Sequence, residues 1–177
     1  MYFILAFAFL LPSVHAISEE SDYGDVPTLR DVIAFFNTTE KIWVYTSSEG
    51  PERQCQSIKK ISEKKYLKTY KFEHKYFDNT GTHSQTLAVR LTTTPSGRRP
   101  RMAVTIGKNT TQYTPRKFLF NEQCGIFSFN RPGKVKQCEM YVWDYTARRT
   151  TPLSCSRALD VVCEGLRKYL LYSSSCP

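Results

Sequence analysis

Apolar and polar residues alternate with a period of two through much of this chain, and that period marks strands whose two faces meet different surroundings. In Gln85–Thr93, Leu87, Val89 and Leu91 interleave with Thr86, Ala88 and Arg90. Met102, Val104 and Ile106 repeat the alternation in Arg101–Ile106. Lys65–Phe77 places Tyr66, Tyr70, Phe72 and Tyr76 on one face and lysines mostly on the other. Lys41–Thr46, Cys55–Ser62, Gly125–Phe129 and Glu139–Tyr145 also read as strands, and Thr111–Phe120 is a weaker one because Pro115 interrupts it. Turn residues separate these runs at Gly50-Pro51, Asp78–Gly81, Thr94–Gly97, Gly107–Asn109 and Asn130–Lys136. About eight strands with tight turns make an antiparallel meander. Closing such a meander removes its edges and leaves an interior able to hold one small ligand.

Two stretches change period. Leu29, Val32, Ile33 and Phe36 fall on one helical face, and Thr28 with Asp31 three residues on makes a capping box at its start. From Ser156, the residues Leu159, Val162, Cys163, Leu166 and Leu170 keep helical spacing behind Pro152 and Ser154. At the other terminus an apolar run from Tyr2 to Leu11 ends at Pro12, and Val14-His15-Ala16 offers small residues for cleavage. Residues 1–16 therefore read as a secretory signal peptide, and 17–177 as one domain with a single core. No later segment is apolar enough for a membrane span, so a secreted, extracellular protein is expected.

Composition sharpens this. The six cysteines all follow the signal, and an even count in a secreted chain argues for three disulfides among 15 pairings. None stands at C-x-x-C spacing, so no zinc or other metal is expected. Asn37 and Asn109 head glycosylation sequons. The net charge of +9 is concentrated in Lys59, Lys60, Lys64, Lys65, Lys68, Lys71 and Lys75 and in Arg98, Arg99 and Arg101. Such a surface suits heparan sulfate or a host protein, although a solvated face is the commoner use, and nucleic acid is no partner for a secreted chain. Enzyme chemistry has little to draw on. After the signal only His74 and His83 remain, no nucleophile motif occurs, and no cofactor is implied.

Glu139, Tyr141, Trp143 and Tyr145 share one strand face, a carboxylate among large aromatics that suits the wall of a ligand cavity better than a solid core. The run Cys138-Glu139-Met140-Tyr141-Val142-Trp143-Asp144-Tyr145, followed by Thr151-Pro152-Leu153-Ser154-Cys155, resembles the tick salivary lipocalins of the histamine-binding type. So do the positions of Cys55, Cys124, Cys155 and Cys176. Arg30-Asp31-Val32-Ile33 stands where that family has Asp-Ala-Trp-Lys, with the aspartate kept and the tryptophan replaced by Ile33.

The resemblance implies an eight-stranded antiparallel up-and-down lipocalin barrel, with a short N-terminal helix and a C-terminal helix packed outside. It implies the disulfides Cys55–Cys176 and Cys124–Cys155, which leaves Cys138 with Cys163. It also implies a monomer that binds a biogenic amine such as histamine or serotonin in the cavity, in tick saliva, to suppress host defence. Asp31 and Glu139 would be the carboxylates, and Trp43, Tyr141 and Trp143 the aromatic walls. Gly125 stands where an acid would help, and no acid lies between Gln85 and Gly107. Those departures, with Tyr70, Phe72, Phe127 and Phe129 and an inward Arg90, suit instead a lipid mediator: a leukotriene, fatty acid or sterol. Action through the basic surface is the third reading. For Glu139 a structural ion pair, and for one of Trp43 and Trp143 core packing, are the plainer roles.

Overall fold

The structure, a computed structural model, describes residues 26–131, 133 and 136–177; the signal segment read at 1–16 lies outside them. Eight strands follow one another around a closed sheet: β1 (Ile42–Ser47), β2 (Gln54–Lys64), β3 (Thr69–Asp78), β4 (Gly81–Thr93), β5 (Pro100–Ile106), β6 (Asn109–Leu119), β7 (Cys124–Phe129) and β8 (Gln137–Trp143). Each pairs antiparallel with the next, and β1 pairs with both β8 and β2 to close the ring. This is the barrel the meander predicts. The long run Lys65–Phe77 is not one strand, however. A 3₁₀ turn at Lys65–Leu67 and a left-handed Lys68 (φ 52°) reverse the chain, and Tyr66 is left 87% exposed.

Helix α1 (Leu29–Phe36) starts where the capping box says it should. Asp31 Oδ2 accepts from the Thr28 backbone N–H and hydroxyl, both at 2.7 Å, while the Asp31 N–H donates to Thr28 Oγ1 at 3.3 Å. Val32, Phe35 and Phe36 are fully buried. Phe35 meets Phe118 of β6, Phe127 of β7 and Trp143 of β8, and Phe36 meets Tyr70 and Phe72 of β3. A helix touching the inner faces of strands so far apart lies across the mouth of the barrel. It stoppers that end and fills it with rings. Lys60 Nζ donates to the carbonyl of Phe36, so this lysine leaves the basic stretch to cap the helix end.

A second apolar layer forms outside the barrel. Trp43, Cys124, Ile126, Cys138, Met140 and Val142 face outward from β1, β7 and β8. They are covered by α3 (Leu153–Val162) and the C-terminal segment, through Cys155, Leu159, Cys163 and Tyr172. Cys124–Cys155 and Cys138–Cys163 staple that layer, and Cys55–Cys176 ties the C-terminus to β2, which are the pairings the resemblance implies. By restricting the unfolded chain each disulfide adds about 2–4 kcal/mol.

The C-terminal helix is shorter than its spacing predicts. It ends at Val162, Gly165 takes φ +75°, and Tyr169–Leu170 returns as β9 rather than continuing the helix. The reason is the barrel seam. β1 and β2 pair only at Ile42–Ile58 and Trp43–Ser57, and then splay apart. β9 takes the vacated edge of β1, and the Cys55 N–H donates to the Leu171 carbonyl at 2.9 Å. Open backbone donors and acceptors outweigh a helical side-chain period there. A further helix, α2 (Asp144–Arg149), cuts the last predicted strand off at Trp143 and leaves Tyr145 exposed.

Candidate functional site

Within the barrel the inner faces change character along their length. From the α1 end outward, β3 presents Tyr70, Phe72 and His74, and β8 presents Trp143, Tyr141 and Glu139. Where the rings give way to polar groups a cavity of about 430 Å³ opens, lined by Glu139 and Tyr141 together with Tyr113, Arg131, Glu49 and His74.

Glu139 is the centre of this cavity. It is 5% exposed, and the Tyr141 hydroxyl donates to its Oε2 at 2.7 Å. Tyr113, stacked on Phe129 with centroids 4.5 Å apart, hydrogen-bonds the same carboxylate. Burial pushes Glu139 up to about 7. The Tyr141 hydrogen bond and the Arg131 charge oppose that rise, and Glu49 adds to it. Burial, together with the Glu139 charge, holds both phenols well above their usual value, so they remain donors. Arg131 does not neutralise Glu139. Its guanidinium is committed to Glu49, through Nε to Oε1 and through Nη2 to Oε2 at 2.9 Å, and lies over Phe129. Arg53, the other arginine of the lining, lies over the Tyr76 ring, so among the described residues no cation forms an ion pair with the buried carboxylate.

The other candidates from the sequence do not join Glu139 and Tyr141. Asp31 is engaged in the α1 cap. Tyr70 and Phe72 point into the barrel at the stoppered end, where Phe72 packs on Phe36 at 5.4 Å. Trp143 packs beside them, its ring 6.2 Å from Phe35. Trp43 faces the outer layer instead, against Tyr172, and its indole N–H donates to Asp144 Oδ1 at 2.6 Å. Arg90 corrects the expectation of an inward cation. It sits in the exposed phase of β4, between buried Val89 and Leu91. Gly125 leaves room for a neighbouring ring, since a Cβ there would stand 2.7 Å from Phe118 Cε1. No acid fits at that position. The sequon residues Asn37 and Asn109 are both exposed, Asn109 at the rim of the cavity. Among the described residues no cluster of His, Cys, Asp and Glu could hold a metal ion, and no helix is long and apolar enough to cross a membrane.

Sequence reasoning missed several cavity residues. Glu49, Glu52 and Arg53 flank the Gly50-Pro51 turn, which reads in sequence only as a connection, and here it brings charges to the rim. His74 reads in sequence as one residue among lysines, yet it is 6% exposed and lines the cavity. The signal was present: His74 follows Tyr70 and Phe72 in the same period of two.

Comparison with known proteins fits this geometry. The sequence profile described as tick histamine binding protein matches residues 28–177. No curated protein matches the sequence. Among solved structures, that of AM182 in complex with serotonin superposes with a TM-score of 0.62 at 12% identity, covering 88% of this chain and 96% of that one. Apocrustacyanin C2 gives 0.56 at 10% identity, and lobster apocrustacyanin A1 gives 0.54 at 11%, each covering 81% of both chains. At such identities these structures share a fold with the chain, the lipocalin barrel. The family profile covers nearly all of the described chain, from the capping box of α1 to the last cysteine, and on that match the chain belongs to the tick histamine binding protein family.

Proposed function

We propose that this protein sequesters a small biogenic amine, such as histamine or serotonin, with the ligand's ammonium group held at Glu139. The observation that carries the reading is a carboxylate buried at an open cavity, with no ion-pair partner among the described residues because the nearby Arg131 is paired to Glu49. An unpaired buried charge is costly, and an entering cation relieves that cost. Tyr113 and Tyr141 hold the carboxylate and offer aromatic faces to the same cation. The family's name and the serotonin complex of AM182 support the same class of ligand. No chemistry is needed, only a water-excluding cavity and enough protein to compete with a receptor. Three disulfides suit work outside the cell, which fits secretion into a host to blunt its defences.

A lipid mediator fits less well. The aromatic surface that would hold its chain is filled by α1, Arg90 faces out, and Arg131 is paired. The basic outer face keeps Lys59, Lys64, Lys65, Lys68, Lys71 and Lys75 exposed, so binding to a sulfated glycan is worth measuring beside amine binding. The test is calorimetry of the secreted protein against histamine, serotonin, a leukotriene and heparin, repeated with Glu139→Gln. Amine binding that the substitution removes supports the reading. Amine binding that survives it removes Glu139 from the site.

A further inference from the structure

The cavity has two chemically different walls. Glu139 stands on β8. Across the ring, two to four strands away on β2, β3 and β4, is a wall without charge built from Gln56, His74 and Gln85. His74 Nε2 donates to Gln56 Oε1 at 3.3 Å, and Gln85 Nε2 donates to His74 Nδ1 at 3.1 Å. These two bonds fix a neutral imidazole with its proton on Nε2. Burial, and then the nearby Arg53, push His74 down to about 4, so it stays neutral at any physiological pH. One N–H of the Gln56 amide donates to the Arg53 carbonyl at 3.3 Å. Gln85 Oε1 is left as a half-buried acceptor on the cavity wall to which none of the described residues donates.

We propose that this wall is a second subsite, which accepts a hydrogen bond from a neutral donor on the ring of the ligand whose ammonium meets Glu139. Resting on the amine reading above, it narrows the ligand to an arylalkylamine with a single positive charge and a ring hydroxyl or ring N–H at its far end. Ile58 and Leu87, neighbours of the trio in the same lining, supply apolar contact for the ring between the two polar ends. A second cation is disfavoured, because the trio offers no carboxylate and Arg53 lies beside it. A ligand lacking the donor would desolvate Gln85 Oε1 and leave it unpaired, and sites of that kind discriminate strongly.

Tyramine and phenethylamine, which differ only in one ring hydroxyl, make the test by calorimetry. In the unaltered protein tyramine should bind about tenfold or more tighter. In Gln85→Met that ratio should collapse towards one, with tyramine weakened and phenethylamine bound at least as tightly as before, since it no longer strands an acceptor, and its retained binding doubles as a check that the variant folds. Equal affinities in the unaltered protein, or a ratio that survives Gln85→Met, would overturn the subsite while leaving the amine reading intact. Loss of both amines from the unaltered protein would overturn the amine reading and this one with it. The comparison within the unaltered protein decides the matter even if Gln85→Met does not fold.

Discussion

The two ends of this barrel are built from the same strands and do opposite things. At the α1 end, Tyr70, Phe72, Phe118, Phe127 and Trp143 meet Phe35 and Phe36 from the helix, and ring packs on ring. At the open end none of the described helices enters, the inward residues include Glu139, His74 and Gln85, and about 430 Å³ stays unfilled. Aromatic side chains inside a lipocalin are thus not evidence of a ligand in themselves. Where a helix supplies matching rings they are core, and they contribute stability. Where the inward positions turn polar, the strands have given up packing energy to leave a space, and only that space can bind.

The largest effect should come from the stoppered end. Phe36→Ala removes a fully buried ring and should cost about 3–5 kcal/mol in denaturant unfolding, with the amine affinity of the folded protein unchanged. A matching loss of affinity would mean that the two ends are not separate.

Glu139→Gln is the converse. Amine affinity should fall about 100-fold, roughly 2.7 kcal/mol, by calorimetry. Stability without ligand should move the other way. The folded Glu139 titrates near 7, above its ordinary value of 4.5, so the folded state binds the extra proton between those values. Stability is therefore lost as pH rises through that window. Removing the carboxylate should recover up to about 3 kcal/mol at pH 8, read as a higher melting temperature.

The same titration sharpens the comparison in the unaltered protein. An amine must displace the proton on Glu139 below pH 7, so affinity should drop about fivefold between pH 7 and pH 6 and level off above about pH 8. A flat profile would place the cation elsewhere.

The smallest effect concerns Asp31. As one half of the α1 cap, its replacement by Ala should cost about 1 kcal/mol of stability and leave amine affinity untouched. A lost affinity would return Asp31 to the ligand.

Much of this was legible in local patterns. The period of two gave the strands because each wall of a barrel has one face inside and one outside. The Thr28–Asp31 pair gave the helix start because a cap is a contact within one turn. Glu139 and Tyr141 could be placed together because they are two residues apart on one strand. What failed did so where distant segments compete. Lys65–Phe77 could not be divided by its alternation, since a left-handed residue such as Lys68 leaves no periodic mark. The segment after Val162 keeps a helical spacing, yet the gap between β1 and β2 drew it into a strand.

The two tryptophans show the boundary most plainly. Both lie in strands that the sequence marks, Trp43 on β1 and Trp143 on β8, and nothing local tells their roles apart. Trp43 faces out beneath Tyr172 while Trp143 faces in beside Phe35. By itself the sequence determined which residues share a face, because that depends only on backbone geometry. Which face is inside, which end a helix fills, and which carboxylate is left buried beside an open space depend on the closure of the whole ring, and only the tertiary structure decided them.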